Sequence, residues 1–93
     1  MDETEARAVA TAQLRAIRAR PYEELRARLL DRPETAEVTG PSGGRYRVEL
    51  GAEIEGPGEN LRVMVWVEAT GPTNSAPVTD DFTVSPQGTF IRE

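Results

Sequence analysis

Eleven arginines, sixteen carboxylates, the hydroxyl residues and two tyrosines are the whole reactive inventory of this 93-residue chain, which has no histidine, no cysteine and no lysine. Imidazole acid–base chemistry, thiolate and Schiff-base nucleophiles, and the usual nitrogen and sulfur ligands of zinc or copper are thereby excluded. Carboxylates and hydroxyls remain, but none stands at a catalytic spacing. Gly40-Pro41-Ser42-Gly43-Gly44 is glycine-rich like a phosphate loop, yet it lacks the lysine and no helix follows it; a hairpin turn is its plain reading. Asp80 and Asp81, with Thr79 and Asn74 or Ser75, could offer oxygens to a hard cation or act as paired acids. Neighbours on a strand point to opposite faces, so these carboxylates do not readily converge, and a solvated strand start is the reading preferred. The expectation is a non-enzymatic chain with no catalytic, cofactor-binding or metal-binding residues.

The residues left to consider are those suited to contact. Met64 and Trp66 alternate with Val63, Val65 and Val67, so they share the side of a strand whose other side is already apolar. Methionine and tryptophan are favoured in interface cores. Arg62, Met64, Trp66 and Glu68 are therefore the candidate interaction residues. The competing reading covers this face with the loop after Ala69 or with the N-terminal helix. Arg45, Arg47 and Arg62 lie on the same wet face, where Glu49, Glu53 and Glu68 are expected to neutralise them across strands. Arg7, Arg15 and Arg18 flank a helix among glutamates, a pattern usually solvated and worth little per pair. Tyr22 and Tyr46 fall on apolar faces and read as core residues with a wet tip.

Two kinds of element must position these side chains. Ala6, Ala10, Leu14 and Ile17 recur at i, i+4, i+8 and i+11, flanked by Val9 and Gln13, which predicts a helix. Acids in its first turn and arginines in its last suit the helix dipole. Pro21 breaks or kinks the helical segment and is expected in the first turn of a second helix, whose apolar face is Tyr22, Leu25, Leu29 and Leu30. After Glu34 the period becomes two. Ala36 and Val38 mark a first strand. In a second, Tyr46, Val48, Leu50, Ala52 and Ile54 oppose Arg45, Arg47, Glu49, Glu53 and Glu55. Gly56-Pro57-Gly58-Glu59-Asn60 turns the chain into a third strand bearing Leu61 to Ala69. Thr70-Gly71-Pro72-Thr73-Asn74-Ser75 leads to a strand with Phe82 and Val84, and Ser85-Pro86-Gln87-Gly88 has the residues of a type I turn before a last strand, Thr89 to Arg92. The fold class expected is α+β: a helical part over about residues 3–31, packed on a four- to five-stranded antiparallel meander over about 34–92, in one domain spanning 1–93.

Taken in this order, the segments Arg20-Pro21-Tyr22-Glu23-Glu24-Leu25, Gly44-Arg45-Tyr46-Arg47-Val48-Glu49, Leu61-Arg62-Val63, Asp80-Asp81-Phe82 and Ser85-Pro86-Gln87-Gly88-Thr89-Phe90 resemble a group of small prokaryotic proteins from haloarchaea and other high-GC organisms. The resemblance covers most of the chain. It departs at Gly56-Pro57-Gly58-Glu59-Asn60, where those proteins are often richer in aspartate. It implies a small helix-plus-sheet domain and no particular activity.

Composition narrows the partners. The chain is 38% hydrophobic and 29% charged, as folded soluble domains are. A net charge of −5 repels phosphate, so nucleic acid and anionic membrane are not expected. Met1-Asp2-Glu3-Thr4-Glu5 is acidic where a signal peptide needs positive charge, and no apolar run reaches membrane-spanning length; the location expected is cytoplasmic. Two functions follow. One is a small protein-interaction domain that pairs with a second copy, as a homodimer, or with another protein. The other is an acidic regulatory or inhibitory protein that binds a basic target.

Overall fold

Sixteen residues of alanine-rich amphipathic sequence form helix α1, Glu3–Arg18, in a computed structural model that describes residues 3–70 and 76–92. The expected turn at 70–75 and the candidate ligands Asn74 and Ser75 lie outside the described residues, apart from Thr70. Ala6, Ala10, Leu14 and Ile17, joined by Val9, form the buried stripe of α1. The helix stops where the Arg20 amide bonds back to the Ile17 carbonyl at 2.9 Å, one residue before a proline that could not have continued the ladder. Pro21 is not inside the second helix, as the sequence suggested, but caps it: its backbone is extended (φ −64, ψ 152) and its carbonyl accepts from Leu25 at 3.1 Å. Helix α2, Tyr22–Leu29, buries Tyr22, Leu25 and Leu29.

Strands β1 (Glu34–Thr39), β2 (Arg45–Glu55), β3 (Asn60–Ala69), β4 (Val78–Val84) and β5 (Phe90–Arg92) form one antiparallel sheet in chain order. The α+β class and the meander are thus as the alternation implied. α1 lies across β3 and β4, and α2 across β2. The core is the helices' apolar stripes against Tyr46, Val48, Leu50, Leu61, Val63, Val65, Val67, Val78, Phe82 and Val84. The strict alternation of β2 fails at one end. Ile54, expected inward, is 37% exposed, although it pairs with the fully buried Leu61.

Each helix also holds one hairpin turn. The Glu5 carboxylate accepts from the Ser42 amide (2.8 Å), the Ser42 hydroxyl (2.7 Å) and the Tyr46 hydroxyl (2.5 Å) at the β1–β2 turn. Gly40 makes this approach possible, because a Cβ there would lie 2.7 Å from Glu5 Cδ. At the β2–β3 turn, Glu59 adopts a left-handed backbone (φ 57), costly for a residue with a side chain. Its carbonyl accepts from Tyr22 at 2.6 Å and its carboxylate pairs with Arg26 at 3.1 Å, contacts that offset the strain. Among the described residues no helix is long and apolar enough to cross a membrane.

Candidate functional site: the uncovered face of the sheet

β3 is the third of five strands, and its period of two divides its side chains between two environments. Leu61, Val63, Val65 and Val67 face the helices and are buried. Arg62, Met64, Trp66 and Glu68 share the opposite face, the four candidate residues together. Trp66 is 45% exposed, while Met64, Arg62 and Glu68 are partly buried.

Register decides what surrounds them. On the β2 side Glu68 faces Arg47, Trp66 faces Glu49, Met64 faces Gly51 and Arg62 faces Glu53. On the β4 side Trp66 faces Thr79, Met64 faces Asp81 and Arg62 faces Thr83. Directly opposed side chains in a ladder lie on one face and touch. The result is a rim of ion pairs: Arg47–Glu68 at 3.7 Å and Arg62–Glu53 at 3.4 Å between opposed residues, and Arg45–Glu37 at 3.4 Å on a diagonal of the β1–β2 ladder. The tightest is Arg62 with Asp81, whose Oδ2 accepts from Nε at 2.7 Å and lies 2.7 Å from Nη2. That hydrogen bond, with the charge of Asp81, raises the pKa of Arg62 and fixes it in the charged form.

Two expectations change here. Asp81 is not a merely solvated strand residue but the principal partner of Arg62. Glu49, expected to neutralise an arginine, makes no hydrogen bond or ion pair among the described residues, because the neighbouring arginines reach across the ladder to Glu37, Glu68, Glu53 and Asp81 instead. Asp80 and Asp81 do part to opposite faces, as alternation requires: Asp80 is paired with Val65 and Asp81 with Met64. No group of three acidic residues suited to a metal ion occurs among the described residues.

Gly51 shapes the face. Every neighbour of it on this side of β2 carries a charged side chain, whereas a Cβ built at Gly51 would meet nothing within 4 Å. The missing side chain opens a notch of about 510 Å³ bounded by Pro33, Glu49, Met64, Trp66, Arg62 and Asp81. A smaller hollow of about 200 Å³ lies beside the indole, between Arg47, Glu49 and Glu68. Trp66 therefore borders both depressions.

The other chemically suggestive groupings are structural. Ser42, Glu5 and Tyr46 lie within hydrogen-bonding distance, but all three donors are spent on Glu5, whose pKa is lowered first by Tyr46 and then by Ser42. A carboxylate so stabilised is a poor base. Arg18, read from sequence as part of a solvated flank, packs its guanidinium over Phe90 at 4.4 Å and Phe82 at 5.9 Å and closes the edge of the core. Glu5 lies 37 residues from Ser42 and 41 from Tyr46, too far for any spacing rule to join them, whereas the absent side chain at position 51 is a signal visible in the sequence of β2.

Comparison with protein-family models, with curated proteins and with solved structures gives no match for this chain.

Proposed function

We propose that this chain is a non-enzymatic protein-interaction domain whose uncovered sheet face, centred on Trp66, receives a partner protein. The observation that carries the reading is the 45% exposure of Trp66 on the middle strand of a face that neither helix covers. A large aromatic ringed by polar groups has the anatomy of an interface anchor, and leaving it in water gains the isolated domain nothing.

Charge distinguishes the occupants. Among strands β1 to β4 the face carries Arg45, Arg47 and Arg62 against Glu37, Glu49, Glu53, Glu55, Glu68 and Asp81. Two copies set face to face would each bring that acidic excess, and like charges across an interface are costly. A different protein is the favoured occupant, and a homodimer is the other outcome of the test. Sedimentation over a wide concentration range reads self-association, and display selection from a charge-unbiased peptide library reads other partners. The reading expects selected peptides to lose binding to Trp66→Glu while that variant stays folded and monomeric. A homodimer lost in Trp66→Glu would keep the face and change the occupant. Ligands indifferent to Trp66→Glu, or no ligand and no dimer, would overturn the reading.

A further inference from the structure

We propose that the Gly51 notch is a seat for a cationic side chain, the guanidinium or ammonium of a basic segment of the partner, with Trp66 as its aromatic wall and Glu49 as its counter-ion. The inference rests on the interaction reading above and names the chemistry of the occupant.

Three features meet there. Glu49 is two residues from Gly51 on the same face of β2, about 7 Å along the strand, and its carboxylate has no partner among the described residues. Trp66 faces Glu49 directly across the ladder, so the indole and the free carboxylate border one opening. Met64, opposite Gly51, supplies an apolar floor for the methylenes of a long side chain. Arg62, the one cation lining the notch among the described residues, is already engaged by Asp81 at 2.7 Å and Glu53 at 3.4 Å. The charged residues lining the notch are thus Glu49, Asp80 and Asp81 against Arg62, an acidic excess.

Other occupants fit less well. An anion would meet Glu49 and the acidic rim. A wholly apolar side chain would cover Trp66 but strip water from an unpaired carboxylate, which is costly. A cation lies on the indole face, where the ring quadrupole attracts it, and pairs with Glu49 in the same step. The site stays open to water on one side, so neither charge is fully desolvated.

Trp66 is the sole tryptophan, so its emission reports on the notch without a label. The probe is the pentapeptide acetyl-Arg-Ser-Arg-Ser-Arg-amide at low salt, compared with its citrulline analogue, which keeps the shape and removes the charge. The protein variants are Glu49→Gln, Gly51→Leu to fill the notch, and Glu23→Gln, an equal change of net charge on the exposed side of α2. Far-UV circular dichroism verifies that each variant is folded. Wild type and Glu23→Gln should give the same saturable change in emission. Glu49→Gln should bind about five-fold more weakly, in line with the loss of one partly exposed charge contact, and Gly51→Leu should not bind. The citrulline analogue should fail to bind wild type. Equal binding of the citrulline peptide, or a loss in Glu49→Gln no larger than in Glu23→Gln, overturns the seat. Display-selected ligands that need Trp66 yet lack arginine and lysine would also overturn it while leaving the interaction domain standing; failure to select any ligand dependent on Trp66 would count against the domain reading itself.

Discussion

The hydroxyl of Tyr46 donates to the Glu5 carboxylate across 2.5 Å, tying the first turn of α1 to the start of β2. The pair is 41 residues apart in sequence, and it anchors α1 to the β1–β2 turn because the same carboxylate also accepts from Ser42.

Acid should loosen this joint first. The folded pKa of Glu5 lies below the ordinary 4.5, chiefly through Tyr46. A group with a depressed folded pKa contributes stability above its unfolded pKa and loses it as pH falls through the folded one. Stability measured by urea denaturation should therefore decline below pH 4.5, and Glu5→Gln should flatten that part of the acid limb while lowering stability at neutral pH. Gly40→Ala should act in the same way, because its Cβ would displace the carboxylate. An unchanged acid limb in Glu5→Gln would remove the clasp from the account.

Ile54 and Leu61 are opposed in the β2–β3 ladder, yet one is 37% exposed and the other fully buried. Leu61→Ala should cost about 2–5 kcal/mol, through lost burial and the cavity left behind. Ile54→Ala should cost under about 1 kcal/mol, since half-open positions relax into solvent. Chemical denaturation of both variants checks the contrast, and similar costs would mean that the end of β2 is more enclosed than the structure has it.

Gly51→Ala should raise stability by about 0.5–1 kcal/mol. Glycine in a strand loses more backbone freedom on folding than alanine does, and the new methyl group meets nothing within 4 Å. A fall in the denaturation midpoint would show that the open face is tighter at this position. A gain would mean that the natural sequence holds a less stable residue where the notch requires an absent side chain.

Trp66→Ala should change stability by no more than about 1 kcal/mol, because the indole lies on the uncovered face. In the wild type, acrylamide should quench Trp66 readily, while iodide, repelled by Glu49 and the net charge of −5, should be inefficient. Glu49→Gln should raise iodide quenching and leave acrylamide quenching unchanged. If acrylamide failed to reach the indole, Trp66 would be returned to the interior.

The amino-acid sequence by itself determined the local elements and their two-sidedness. The helical spacing of Ala6, Ala10, Leu14 and Ile17, the stop at Pro21 and the alternation through β2 and β3 are periodic properties of neighbouring residues. They imply which side of each element is apolar with no knowledge of what covers it. That is why Arg62, Met64, Trp66 and Glu68 could be placed on one face in advance. Tertiary structure decided everything that depends on register and on long-range approach. Alternation could not say that Ile54 runs past the helices while Leu61 lies beneath them. Composition could not say which of the acids would meet which of the arginines, and so could not single out Glu49 as the one beside Trp66 without a partner among the described residues. Hydrogen bonds and ion pairs act over a few ångströms, and only the folded chain brings Glu5 to Tyr46, Asp81 to Arg62 and Glu49 to Trp66.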